Sequence, residues 1–421
     1  MRIVTAAVLA VYLLALIVAG VLVTRRMKGF GEYVTGGGRI PAWMLALSFM
    51  ANFVSSNSFV GHAAKSYEVG LGWCVVGAFL VAACVLSFHV FAPRFAAFAQ
   101  EHRAETLPDF FEKRFGSRPL AVLVQWVVVG TTLLYVLAVM RGTALVVTSG
   151  LGISYEVALV VLYGVTIVYC LLGGLWADVW TDVIQAVILL FGAIGLFVGV
   201  LVTAPDAAGV APPALRPAPV GLLVVLGCLF PLGYFARELL PSVGQVEELV
   251  PRLVFERRVL GAAFGPVFLV ALFAASMSSL DSSLLVMASC LEKHVAAPLM
   301  RSEPSTKRAR VLLFAVATLV LALSWRPLGG IVELSTLAGA LLGASLLPAI
   351  CAGLGARRVP ARTAALSVVL GLAGAIAGKL APAALGVRSP WLQDIFVGLL
   401  AATLPLLPSL LRRPRLVSDA G

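Results

Sequence analysis

AWMLALSFMANFVSSNSFVGHAA, residues 42–64, is long and apolar enough to cross a bilayer, yet its middle holds Asn52, Ser55, Ser56, Asn57 and Ser58. At about 1.5 Å per residue, a helix of this length covers a hydrocarbon core of about 30 Å. Serine and asparagine side chains bond to nearby backbone and weaken a helix, and at that depth there is no water to satisfy the carbonyls set free. The pattern predicts a membrane helix interrupted near its centre, and such interruptions hold ions or solutes in transporters. Hydrogen bonding between helices by small polar residues is the plainer alternative.

The rest of the chain fits a membrane setting. Of 421 residues, 61% are apolar and 12% charged, with a mean hydropathy of +1.02. No water-soluble core absorbs so much apolar surface. Apolar runs recur at 3–23, 42–64, 72–93, 119–146, 156–174, 180–203, 219–236, 260–290, 308–325, 330–353, 363–381 and 391–411. They predict an all-α polytopic membrane protein of about 12 spans. A barrel is excluded, because barrel strands alternate every second residue. Basic residues outnumber acidic ones 31 to 20, a net charge of +11. The excess falls in loops, as the positive-inside rule produces, so it implies a lipid bilayer and no nucleic acid as partner. Cys74, Cys84, Cys170, Cys228, Cys290 and Cys351 are scattered without a C-x-x-C pair and read as small packing residues. The first apolar run is too long for a signal-peptide core and reads as a retained helix.

Two basic loops, with Arg25, Arg26, Lys28 and Arg39 and with Arg94, Arg103, Lys113, Arg114 and Arg118, are expected in the cytoplasm, which leaves the N-terminus outside. Lys293, Arg301, Lys307, Arg308 and Arg310, then Arg357, Arg358 and Arg362, then Arg412, Arg413 and Arg415 place the C-terminus in the cytoplasm. Twelve crossings cannot join those two ends. The conflict falls between 204 and 258, which holds the Ala/Pro-rich stretch 204–218 and the charged stretch 237–258. The latter carries Arg237, Arg252, Arg257 and Arg258 against Glu238, Glu247, Glu248 and Glu256, and neither stretch is apolar enough to span.

A second polar stripe lies in AASMSSLDSS, residues 274–283, where Ala275, Ser278, Ser279 and Ser282 share one helical face. Carbonyls of a broken helix with two serine hydroxyls would suit sodium, a hard cation; close packing of small residues is the alternative. Asp281 is ionisable at depth and therefore a functional candidate, unless it pairs with a base of the following loop. Arg141, Glu333 and Lys379 either line a pathway or are paired or snorkelling. His62 and His89 read as core histidines, and Gly36, Gly37 and Gly38 as a turn. No nucleophile with its base, metalloprotease helix or nucleotide loop is present, which argues against an enzyme.

Five segments, GGGRIPAWMLALSFMANFVSSNSFVG (36–61), YEVGLGW (67–73), TLPDFFEKRFG (106–116), LLGGLWADVWTDVIQ (171–185) and LFAASMSSLDSSLL (272–285), together resemble the sodium:solute symporter family over about residues 30–300. The resemblance implies the LeuT-type inverted-repeat helical bundle. Residues 3–23 would be a peripheral helix, 42–203 the first five-helix repeat, 219–353 an incomplete second repeat and 363–411 peripheral helices. It further implies sodium-coupled symport of a small organic solute by alternating access, with Na+ as coupling ion and no organic cofactor. Carried over by motif, the ion would lie between carbonyls of Ala51, Val54 and Ala275 and hydroxyls of Ser278 and Ser279. The solute would lie near Ser55, Asn57 and Ser58, with Asp281, Ser282 and Arg141 on a candidate ion pathway and Asp182 and Gln185 a structural pair. One sodium ion crossing 100 mV supplies about 2.3 kcal/mol and a tenfold gradient about 1.4 kcal/mol. The departure from the family is a helix too few between TDVIQ and SSLDS, which is expected to be the first of the second repeat. The implied alternative is a non-transporting member: a sensor, an assembly partner or a remnant. A multi-pass protein of a bacterial-type inner membrane, free to form a homo-oligomer, is the expected setting.

Overall fold

A computed structural model describes residues 2–24, 29–172, 174–203, 220–256, 259, 261, 264–326, 329–355, 358–385 and 394–411. Arg25, Arg26, Lys28, Arg257, Arg258, Arg357, the stretch 204–218 and the basic tail from 412 lie outside the described residues. Among those described there is no strand, and every one of the twelve predicted runs carries helix. Among the described residues, six helices are long and apolar enough to cross a membrane: Leu71–His102, Arg118–Leu151, Leu175–Thr203, Phe264–Leu299, Ile331–Leu354 and Ala361–Leu380. The predicted 72–93 run is too short, since helix continues to His102 and takes in Arg94.

The chain forms two compact units. The first (Met1–Ser87, Val136–Glu292, Glu303–Ser335) contains α1 (Arg2–Thr24), α2 (Ala42–Phe53) and α3 (His62–Val69). It also holds α4 (Cys74–Leu86), the second part of α6 (Arg118–Leu151), α7 (Tyr155–Leu172), α8 (Leu175–Thr203), α9 (Val220–Ala236), α10 (Phe264–Leu291), α11 (Thr306–Ser324) and the start of α12 (Ile331–Leu354). Helix α10 is the axis: 22 of its 28 residues are buried, as expected of a helix apolar all round. It meets α8 where a side chain on Gly192 would collide with Ala271, a small-on-small approach of the kind that holds membrane helices together without a hydrophobic drive. Rings fix the directions. Phe59 packs on Phe268 at 5.9 Å while the carbonyl of Ala51 meets Ser278, so α10 runs against the α2–α3 pair.

Helix α9 runs along α3 in the same sense, His62 stacking on Phe230 at 4.2 Å and the Gly233 amide donating to the Ser66 hydroxyl. It also runs in the same sense as α8, since α8 crosses α10 in the opposite sense (Asp178 on Ser282, Gly192 on Ala271), and Phe197 meets Phe235 at 6.0 Å near both C-terminal ends. Two consecutive helices thus end on the same side. The stretch between them lies within 204–258, the interval to which the charges assign the parity conflict.

The second unit (Phe88–Tyr135, Lys293–Ser302, Thr336–Gly421) includes α5 (Leu107–Phe115), α13 (Ala361–Leu385) and α14 (Asp394–Thr403). TLPDFFEKRFG folds as its residues dictate. Thr106 and Asp109 cap each other's backbone at the N-terminus, and Gly116 at φ 63° closes the helix in the left-handed region. Burial works against the charge on Asp109, but hydrogen bonds from His294 and Lys293 and the lysine's charge outweigh it and hold the carboxyl well below the usual carboxylate range. Helices α13 and α14 approach through Gly374 and Gly398, and the Ser367 hydroxyl donates to the carbonyl of Ala402.

Candidate functional site

Helix α2 stops at Phe53 because the next residues satisfy one another. Val54 is extended (φ −93°, ψ 96°) and its amide donates back to Met50. The Ser55 hydroxyl accepts the amide of Asn57 at 3.2 Å, and its carbonyl accepts that of Ser58 at 2.9 Å. This is the local side-chain-to-backbone bonding that ends helices, and a π turn, Asn57–Gly61, then leads into α3. The carbonyls of Ala51 and Asn52 lose their helical partners and turn to α10. Ser278 donates its hydroxyl to Ala51 at 2.9 Å and Ser279 donates to Asn52 at 2.9 Å. Both hydroxyls also lie on the carbonyl of Ala275, at 3.1 and 3.3 Å. The result is a buried knot of neutral oxygens from a broken helix and a serine stripe.

On the far side of this knot, three carboxylates converge. Oxygens of Asp178, Asp182 and Asp281 all lie within 4.8 Å of one another, and all three residues are buried. Asp182 accepts from the Ser48 hydroxyl and from Asn52 Nδ2 (2.7 Å), both on α2. Asp178 accepts from Ser282 at 2.7 Å, and the Ser282 amide donates to Asp281 at 2.8 Å. One oxygen of each carboxylate (Asp178 Oδ1, Asp182 Oδ1, Asp281 Oδ2) has no partner. Like charges this close at an effective dielectric of about 20 repel by a few kcal/mol per pair, so a cation or shared protons must complete the group.

The family model for "Sodium:solute symporter family" matches residues 33–211 and 220–371. The chain belongs to that family. Its members are transporters, and with membership comes sodium-driven symport of a solute by a multi-pass membrane protein. The chain is 25% identical to the sodium/pantothenate symporter of Escherichia coli (strain K12), an alignment of 405 residues taking in 81% of this chain and 82% of that one. It is 29% identical over 194 residues to the sodium/sialic acid symporter of Proteus mirabilis (strain HI4320), 46% of this chain and 38% of the relative. The solved substrate-bound, outward-open structure of a Na+-coupled sialic acid symporter superposes with a TM-score of 0.79 at 20% identity, covering 97% of this chain and 98% of that one. At that identity the likeness shows the fold, the LeuT-type bundle.

For this symporter-family chain, the structure brings Ala51, Ala275, Ser278 and Ser279 together. Val54 is buried at the break, and the second carbonyl reached from α10 is that of Asn52, two residues before Val54. Ser55, Asn57 and Ser58 are buried at the interruption, and Asn57 Oδ1 has no partner. Asp281 does not pair with a base of the following loop among the described residues; its neighbours are two further acids. Of the structural pair Asp182 and Gln185, Asp182 holds α2, and Gln185 Nε2 donates to the hydroxyl of Tyr12 on α1 at 3.1 Å. Arg141 has a definite partner, Glu247, at 2.7 Å. Sequence reasoning did not single out Ser48 or Asp178; their signal was a serine one turn before Asn52 and an aspartate one turn before Asp182.

Proposed function

We propose that the coupling sodium ion binds among the carbonyls of Ala51, Val54 and Ala275 and the hydroxyls of Ser278 and Ser279, and that a small organic solute binds against Ser55, Asn57 and Ser58. The observation that carries this reading is the pair of hydroxyl-to-carbonyl bonds from Ser278 and Ser279 to Ala51 and Asn52, which marks where α10 meets the broken helix. A sodium ion placed there turns both hydroxyls so that their lone pairs face it, and the freed carbonyls become ligands. Neutral ligands hold such an ion weakly enough to release it. Asp281 and Ser282 lie one turn further along α10, beside Asp178, and form the next stage of the ion's path. Sodium bound at the break stiffens the interrupted backbone that lines the solute site, and each ligand thereby raises the affinity for the other.

The protein is proposed to sit in an inner membrane with its N-terminus outside and its C-terminus in the cytoplasm, the arrangement favoured by the basic loops at 94–118 and 293–310. It is proposed to carry out no chemical conversion of its solute. One helix fewer than in relatives is supported by the common direction of α8 and α9 and by the alignment with the E. coli relative, since 81% of 421 residues falls well short of 405 aligned positions. Purified protein in vesicles is expected to accumulate a solute only with an inward sodium gradient, with pantothenate and sialic acid as the first compounds to try. Sodium-dependent stabilisation of the protein without uptake of any solute would favour the non-transporting alternative.

A further inference from the structure

Arg141 lies on α6 beside the break: the preceding turn gives its Val139 carbonyl to the Ser56 hydroxyl (3.0 Å), and Gly142 faces both Ser56 and Ile331. The Arg141 side chain is only about one-fifth exposed, and its Nη2 donates to Glu247 Oε2 at 2.7 Å. Glu247 comes from the short helical segment Val246–Glu248 in the connection between α9 and α10, and its other oxygen accepts the amide of Ile331 at 2.7 Å. That amide is the first of α12, a 24-residue helix whose N-terminus favours negative charge. One carboxylate is therefore held by two oxygens between a guanidinium and a helix N-terminus, as a bound anion is held. Two neighbours bear on the same place. Gly61 faces both buried Asn57, whose Oδ1 is unpartnered, and Val332, the next residue of α12. Glu333 brings a second carboxylate to the same first turn, where Gly330 faces both it and Glu247.

We propose that Glu247 is a tethered stand-in for a carboxylate of the carried solute. While the solute site is closed, it fills the position between Arg141 and the N-terminus of α12. When the connection carrying it moves away, a largely buried arginine side chain is left unpaired, a costly state unless another anion takes the vacated place. The solute class that meets this need carries a carboxylate. This solute half rests on the symport reading above; the anion position and its occupant do not.

The experiment uses purified protein with the six native cysteines replaced and a single cysteine in place of Ile331, which is fully buried beneath Gly142. The readout is the rate of maleimide labelling, which needs neither transport nor sidedness. Glu247→Ala is expected to label about tenfold faster than the parent. Acetate at high millimolar concentration should return the rate towards the parent's by filling the empty position, acetamide should not, and adding Arg141→Gln should abolish the acetate effect. Should Glu247→Ala not yield folded protein, Glu247→Gln keeps the shape without the charge and is expected to label faster than the parent. Labelling at the parent rate in both variants, or equal effects of acetate and acetamide, would overturn the proposal. Acetate protection in a protein that takes up no solute would leave the latch standing and remove only the symport reading.

Discussion

Ser278 and Ser279 differ from the other hydroxyls of α10 in where they reach. Ser276, also fully buried, is spent within the scaffold, donating to the Leu272 carbonyl and accepting from Thr143 at 2.6 Å. Ser278 and Ser279 cross to carbonyls that the break has released. Removing either hydroxyl takes away one proposed ion ligand, and a hydrogen bond or ligand to a charged group contributes about 1.5–3 kcal/mol. Ser278→Ala and Ser279→Ala are therefore each expected to raise the sodium concentration for half-maximal uptake by about tenfold or more. Ser276→Ala should leave it within about threefold, because the group it loses touches no proposed ligand. An equal effect from all three would assign Ser278 and Ser279 to packing. At this scale the serine face was legible because a helix places positions three and four apart together. The carboxylate trio was not, since Asp178 and Asp281 lie about a hundred residues apart and only the antiparallel crossing of α8 and α10 joins them.

The elements are held at points where a side chain has been dispensed with. Gly233 of α9 lies so close to α3 that a Cβ would strike the Ala63 carbonyl and come within 2.6 Å of the Tyr67 amide, both backbone and unable to swing aside. Gly227, two turns earlier on the same helix, has nothing within 4 Å. Gly233→Ala is expected to destabilise the purified protein by about 1–3 kcal/mol, read as a lower midpoint of thermal unfolding. Gly227→Ala should be neutral or stabilising by up to about 1 kcal/mol, as alanine is the better helix former. Equal midpoints for the two variants would mean that α9 does not rest on α3 in this way. Sequence pattern identified α9 as an apolar run, because hydropathy needs only composition. It could not identify the partner, because the approach to α3 depends on which face Gly233 presents. The break in the second run was legible for the opposite reason: Ser55 acts on its own neighbours, so its effect is encoded within four residues.

Across the whole molecule, the charges and the helix directions constrain each other. The basic loops require the connection between α9 and α10 to lie outside if the N-terminus does, and the side-by-side C-terminal ends of α8 and α9 put two consecutive helix ends on that one side. Only one orientation of α10 lets Ser278 and Ser279 meet Ala51 and Asn52, so the sign of every later loop follows from it. A cysteine at exposed Ser242, before α10, is expected to react with an impermeant maleimide in intact cells, and one at exposed Ser302, after it, only once the membrane is opened. The reverse pattern would invert the positive-inside assignment for the whole chain, since α10 crosses once and fixes both flanks. Labelling of both from outside would be more damaging. It would mean that α10 does not cross, and then a serine stripe and a broken helix have no common depth at which to share an ion.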